Sequence, residues 1–226
     1  MRRLTLVLSC ALLTAAVSFG ENSRAMFGYS PNGTQQLILN GTIILQASTA
    51  GWYDETGANN TNGPGISNYI AGICGSSDAC DGNNYNQHDY FVFDLSGVTA
   101  TITSAQLSIG NLNSTGYIDP NPRAVYSCWD VSTPIPELIA SQSGRPGIFQ
   151  DLGSGVWYAN TVVSAASDGT QVVVNLNAAA IASIQAAERG SWAVGGSMPP
   201  PPQTELGGAG LAPPPNLAGT GRPRTH

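Results

Sequence analysis

The stretch from Asp89 to Asn111 reads DYFVFDLSGVTATITSAQLSIGN, and it decides the fold. Phe91 and Phe93 alternate with residues of the opposite face, the alternation breaks at Ser96-Gly97, and it resumes from Ile102 to Ile109. Side chains that alternate with a period of two point to opposite faces of a β-strand. The stretch therefore predicts two half-buried antiparallel strands on either side of a glycine turn.

Similar signals recur along the chain. Asn40-Gly41 between two apolar runs predicts a hairpin, because this dipeptide supplies the positive φ angles of a type I′ turn. Thr133-Pro134 predicts a helix N-cap followed by the first helical residue, and Asn177 predicts a second N-cap. Further strands are predicted at 123–129, 155–164, 170–176 and 191–195, with short helices at 134–141 and 178–189. This pattern predicts an all-β, antiparallel two-sheet β-sandwich of jelly-roll type with one or two short helices.

The chain divides into three parts by composition. Residues 1–20 have a basic start, a short apolar run and small residues at the end, which predicts a secretory signal peptide and a secreted or cell-surface protein. A lipoprotein signal ending at Cys10 and a buried helix are the alternatives. Residues 21–197 have the length of one domain. Residues 198–226 are rich in Pro and Gly, which predicts a disordered tail.

The balance of charge excludes some partners. The 226 residues contain 14 acidic and 8 basic side chains, and every basic one is arginine, so the net charge is −6. An acidic surface repels phosphate groups, so we expect no nucleic-acid partner. No apolar run approaches the roughly 20 residues that a membrane span requires, so no span is expected.

Three cysteines follow the predicted signal peptide. Cys74 and Cys80 predict a disulfide that closes a small loop, which leaves Cys128 unpaired. Metal binding by the first two, or buried free thiols, are the alternatives. Metal binding is the weaker one because no second Cys or His pair stands at ligand spacing.

Several segments resemble a known family. The runs Tyr90–Ser96 and Ile102–Ser108 resemble the central signature of DNRLRE-type domains, which are secreted bacterial β-sandwiches grouped with carbohydrate-binding modules. The runs Gly51–Asp54, Asn68–Gly72 and Phe91–Ser96 are also similar to a set of uncharacterised exported bacterial proteins, many of which carry a PEP-CTERM sorting tail that this chain lacks. The resemblance implies a β-sandwich fold and binding of carbohydrate or a surface polymer.

Candidate binding residues lie in the long Gly- and Asn-rich region 51–86, which reads mainly as loop. Trp52 and Tyr53 are candidates for stacking on sugar rings, with Asp54 beside them as a polar contact. Core packing is the alternative for both rings. Asp78, Asp81 and Asn83 form an oxygen-rich run that predicts a calcium site, unless these side chains only stabilise turns.

No catalytic residues are predicted. His88 is the single histidine of residues 21–197, in a run that reads as a solvated loop, and no Gly-x-Ser-x-Gly motif is present. We therefore expect an exported, non-enzymatic module that binds extracellular carbohydrate or surface polymer, with calcium as the one candidate cofactor. The alternatives are a structural or matrix spacer that binds no small ligand and a polysaccharide hydrolase or lyase.

Overall fold

A computed structural model describes residues 24–27, 35–62, 69–73, 85–111, 116–118, 122–187 and 189–198. These residues form mostly antiparallel β-sheet with short helices. The strands are β1 Arg24–Phe27, β2 Gln36–Leu39, β3 Ile43–Asp54, β4 Asn59–Asn62, β5 Tyr69–Ile73, β6 Asn86–Asp94, β7 Ala105–Gly110, β8 Tyr117–Ile118, β9 Ala124–Trp129, β10 Trp157–Val163, β11 Gln171–Asn175 and β12 Ser191–Ser197. The helices are α1 Ile135–Leu138, α2 Pro146–Leu152 and α3 Ala178–Ala186, with a 3₁₀ turn at Ala165–Ser167.

Eight strands follow one another in the order β10-β9-β12-β6-β3-β2-β7-β11. β3 belongs to both halves of this path, because its first residues pair with β2 and its later residues pair with β6. The register shifts between Ala47 and Thr49, and such a bulge bends a strand. The sheet consequently curls almost into a barrel. The all-β antiparallel class is confirmed, whereas a two-sheet sandwich of jelly-roll type is not clearly formed.

The two strands predicted around Ser96-Gly97 both exist, but they are not neighbours. β6 pairs with β3, β5 and β12, and β7 pairs with β2 and β11. The expectation that β6 is half-buried was also wrong, because both of its faces are covered. Phe91 and Phe93 belong to the main core inside the curled sheet, while Tyr90 and Val92 belong to a second core on its outer face. Helices α1 and α2 contribute the apolar side chains that cover this outer face.

Helix α3 covers one end of the main core. Asn177 caps it as predicted, since its side-chain oxygen accepts a hydrogen bond from the amide of Ala180 at 3.0 Å. Ala180 and Ile184 face the core beside Leu95, the residue that follows β6. β6 runs from Asn86 to Asp94, so its first residues lie at the end of the main core that is opposite to α3. Among the described residues, no helix is long and apolar enough to cross a membrane.

The predicted N-cap at Thr133 was wrong. Pro134 occupies the cap position of α1, which ends at Leu138, and no side chain caps this helix. The Thr133 hydroxyl donates instead to Asp151 of α2 at 2.7 Å, and the amides of Ser132 and Thr133 donate to the same carboxylate at 3.0 and 2.8 Å. Partial burial alone would raise the pKa of Asp151, but these hydrogen bonds hold it below its usual value. The carboxylate thus joins α2 to the segment between β9 and α1.

We expect Asp151→Ala to lower the free energy of unfolding by about 1–3 kcal/mol, because several charge-assisted hydrogen bonds disappear together. Gln150→Ala provides the control, since Gln150 is an exposed neighbour on the same helix. Urea unfolding of both variants tests this expectation at neutral pH. Equal stability of the two variants would contradict the linking role of Asp151.

Candidate functional site

The predicted binding residues lie inside a strand and not in a loop. Residues 51–54 are the last four of β3; all four pair with β6, and the first three also pair with β4. Trp52 is 8% exposed, Tyr53 is 0% exposed and Asp54 is 1% exposed. Tyr53 packs in the second core, and its hydroxyl donates to the carbonyl of Leu138 at 2.8 Å. Neither ring therefore presents a face at the surface for stacking on a sugar.

Trp52 and Asp54 face the interior together with two residues of β6. In the β3–β6 ladder, Trp52 lies opposite Asp89 and Asp54 lies opposite Gln87. Their side chains share the face of Phe91, which belongs to the main core. Directly opposite residues in such a ladder have Cβ atoms about 4.5–5.5 Å apart, and diagonal ones are about 7–8 Å apart. These four side chains, named here the polar quartet, form a compact group at the end of the ladder.

The polar quartet is rich in unsatisfied polar atoms. Gln87 and Asp89 are 0% exposed, yet both amide atoms of Gln87 and Oδ2 of Asp89 have no hydrogen-bond partner. The same is true of Nε1 of Trp52 and Oδ2 of Asp54. Within the part of the chain that the structure describes, the remaining atoms of this kind lie at the same end of the sheet, on Asn59 and Asn86. An unpaired buried polar group costs about 1–3 kcal/mol, so this concentration is a signal of function.

Asp89 has one side-chain hydrogen-bond partner, which lies on the far side of β12. Its Oδ1 accepts a hydrogen bond from the Tyr126 hydroxyl of β9 at 2.8 Å. β12 runs between β6 and β9, and Gly196 stands between the two residues. A Cβ atom on Gly196 would overlap both the hydroxyl of Tyr126 and Oδ1 of Asp89. Burial raises the pKa of Asp89 to about 7, although the Tyr126 hydrogen bond lowers it.

Asp54 has a different environment from Asp89. Its Oδ1 accepts three hydrogen bonds, from the amide and hydroxyl of Thr56 at 2.9 and 2.7 Å and from the amide of Ala58 at 2.9 Å. These bonds form a local turn between β3 and β4 and fix the carboxylate in place. Oδ2 is left as a buried acceptor toward the interior. No arginine of the described residues forms an ion pair with Asp54 or Asp89.

His88 lies in β6 and not in a solvated loop. Its ring stacks on Phe149 with centroids 3.9 Å apart, and its Nδ1 lies 2.7 Å from the Phe149 carbonyl oxygen. A carbonyl oxygen only accepts, so we assign the proton to Nδ1. Burial lowers the pKa of His88 to about 4, although the bond to Phe149 raises it. His88 faces the second core, away from the polar quartet.

Other predicted sites lie outside the described residues. These are the disulfide between Cys74 and Cys80 and the calcium ligands Asp78, Asp81 and Asn83. In the described ranges, no group of three or more His, Cys, Asp or Glu side chains is arranged to hold a metal ion. Cys128, predicted to be unpaired, has a free thiol buried in the main core, and its burial raises the pKa of that thiol well above the usual value.

Four residues of this region were not predicted: Gln87, Asp89, Tyr126 and Gly196. For the first two a signal existed in the sequence. They continue the period-two series of Phe91 and Phe93, so they occupy core-facing positions with polar side chains. Polar side chains at core-facing positions destabilise a fold, so their presence there indicates a function. No sequence signal pointed to Tyr126 of β9 or Gly196 of β12, because their position beside Asp89 depends on which strands become neighbours.

Comparisons with known proteins found no match for this chain. No family model matches the chain, and no curated protein or solved structure shows significant similarity to it.

Proposed function

We propose that the chain is an exported, non-enzymatic β domain that binds a sugar unit of an extracellular carbohydrate at the polar quartet. One observation carries this proposal. The buried polar atoms without partners gather at a single end of the sheet, on Trp, Asp, Gln and Asn side chains. A ligand with many hydroxyl groups would satisfy them, because each hydroxyl both donates and accepts a hydrogen bond.

The mixture of donors and acceptors favours a neutral ligand over a cation. The indole N–H of Trp52 and the amide N–H of Gln87 are donors, and the free oxygens of Asp54 and Gln87 are acceptors. The free oxygen of Asp89 donates while this carboxyl group is protonated and accepts once it is ionised. A cation would satisfy the oxygens and leave the two donors unpaired. The mouths of barrel-like sheets are also common sites for small ligands. Asp54 is the last residue of β3, so the polar quartet lies near one end of the curled sheet.

The burial of both carboxylates supports a non-enzymatic role. Diagonal positions place Asp54 and Asp89 at a separation of about 7–8 Å, which falls in the range of paired carboxylates in glycosidases. Asp54 is 1% exposed and Asp89 is 0% exposed, however, so a glycosidic bond of a polymer has no access to the space between them. A sugar unit needs access to the same space, so binding at the polar quartet requires this end of the sheet to open.

A structural or matrix domain without a small ligand is the second candidate. The burial of Trp52 and Tyr53 favours it, because neither ring is available as a stacking platform. In this case ordered water would satisfy the polar quartet. Both candidates share the export by a signal peptide and the secreted or cell-surface location that the sequence predicts. The predicted signal peptide at residues 1–20 and the tail at residues 199–226 lie outside the described residues. We also propose a two-sheet jelly-roll arrangement, with β3 shared between the sheets β10-β9-β12-β6-β3 and β3-β2-β7-β11.

Titration of the exported chain with neutral mono- and oligosaccharides, followed by the tryptophan indole N–H signals in NMR spectra, tests the proposal. We expect the signal of Trp52 to shift, because its Nε1 is unpaired. The signals of Trp129 and Trp192 serve as internal references, since their Nε1 atoms already donate to Ser197 and Ser183 at 2.9 and 3.1 Å. A Trp52 signal that no sugar of the panel moves would favour the structural role.

Gln87→Leu separates binding from folding. It replaces a buried amide that lacks partners by an apolar side chain of similar size, so we expect the fold to gain about 1–2 kcal/mol while sugar binding is lost. Gln150→Leu, on the exposed face of α2, is the matched control and keeps the wild-type affinity. Thermal unfolding and the same NMR titration measure the two effects. A Gln87→Leu variant that binds sugar as the wild type does would refute the site.

A further inference from the structure

The outer surface of four neighbouring strands carries an unusual set of side chains. β3, β2, β7 and β11 lie side by side, with their apolar residues turned to the main core. The opposite face presents five amide side chains, and we name this surface the amide face. Its amides are Gln36, Gln46, Gln106, Gln171 and Asn175.

Among the described residues of its four strands, the amide face contains no charged side chain. Its other members between residues 36 and 46 and on β7 and β11 are Ile38, Ile44, Ser108 and Val173. Ile44 is 56% exposed and Val173 is 45% exposed, so the face also has apolar surface in contact with solvent. The chain as a whole carries a net charge of −6. A neutral face on an acidic molecule lets two copies approach with little repulsion.

Three of the amides are held in position by hydrogen bonds within the face. Nε2 of Gln106 donates to Oδ1 of Asn175 at 2.8 Å, and the Ser108 hydroxyl donates to Oε1 of Gln171 at 3.1 Å. Side chains that are already ordered lose less conformational entropy when a partner docks. The face is therefore partly preorganised for contact.

We propose that the amide face is a self-association surface that takes a second copy of this chain. Each amide has a donor and an acceptor, so a set of amides is complementary to itself, as a two-fold symmetric interface requires. Ile44 and Val173 supply apolar contact at the same place. This inference is independent of sugar binding, because the amide face lies outside the sheet and the polar quartet lies inside it.

The dimensions of the face set the strength of the association. Four strands about 4.8 Å apart and about five residues long cover roughly 300 Å² per copy. A stable complex buries about 800 Å² per partner. The association is consequently weak and becomes important at high local concentration.

Sedimentation equilibrium of the exported chain between about 20 µM and 1 mM tests this proposal. We expect the average mass to rise toward a dimer for the wild type and to remain that of a monomer for Val173→Lys, which sets like charges against each other. Ile139→Lys is the control, because Ile139 is 37% exposed at the end of α1, which packs on the outer face of β6 and β12, away from the amide face. Gln106→Lys is a second variant of the face and is expected to behave as Val173→Lys does.

Circular dichroism and melting temperatures verify that all three variants fold. A wild-type chain that remains monomeric at 1 mM would overturn the proposal. So would Val173→Lys and Gln106→Lys variants that are folded and associate as strongly as the wild type. Binding of a soluble neutral polysaccharide that is lost only in the variants of the face would assign the surface to a different partner and would also overturn it.

Discussion

Asp89→Asn will make the free energy of unfolding rise by about 3 kcal/mol between pH 4 and pH 6.5, whereas the wild type will change little. Two buried groups oppose each other in the wild type. Burial raises the pKa of Asp89 from 3.8 to about 7. Its contribution to the free energy of unfolding is therefore fully present below pH 3.8 and is lost as the pH rises to 7. Burial lowers the pKa of His88 from 6.5 to about 4. Its contribution to the free energy of unfolding is therefore present above pH 6.5 and is lost as the pH falls to 4.

At about 1.4 kcal/mol per pKa unit, the interval from pH 4 to 6.5 corresponds to about 3 kcal/mol for His88 alone. Asp89→Asn removes the opposing group and exposes this dependence. His88→Gln will have the reverse effect, with stability that falls as the pH rises from 4 to 7. Asp94→Asn is the matched control on the same strand, because Asp94 is exposed and its pKa lies below 3.8. Urea unfolding across this range gives the slopes, and a flat profile for Asp89→Asn would contradict the assignment.

Gly196→Ala will lower the free energy of unfolding by about 3–5 kcal/mol. The added Cβ would overlap the hydroxyl of Tyr126 and Oδ1 of Asp89, both of which are fully buried. Relief of this overlap requires the hydrogen bond between them to break, so the cost combines overpacking with a lost bond to a buried carboxyl group. Chemical denaturation at pH 5 measures the loss under conditions where Asp89 is protonated.

Gly97→Ala is the control for Gly196→Ala. Gly97 is exposed, and a Cβ there meets no atom within 4 Å. The double variant Gly196→Ala with Tyr126→Phe will lose less stability than the sum of the two single variants, because removal of the hydroxyl makes room for the new methyl group. Additive losses would mean that the close approach of Tyr126 to Gly196 is not the cause.

Short-range patterns predicted local structure well where the cause is local. Asn40 and Gly41 have the positive φ angles, 52° and 69°, that a type I′ turn requires, and Asn177 caps α3. The hairpin loop is one residue longer than the predicted two, because Leu39 pairs with Ile43. The region 51–86 was less well predicted. It reads as loop because it is rich in Gly and Asn, yet it contains the end of β3, β4 and β5. These segments are held by pairing with β6 and with each other, which outweighs their low strand propensity.

The sequence by itself determined the all-β class, the β2–β3 hairpin and the inward positions of Phe91 and Phe93, because alternation and turn chemistry depend only on adjacent residues. The tertiary structure decided which strands became neighbours and therefore what surrounds Asp89. β12 brings Gly196 beside this carboxyl group, and β9 brings Tyr126 within hydrogen-bond distance across the glycine. Contacts between residues far apart in the chain depend on the order of the strands, and no local pattern encodes that order.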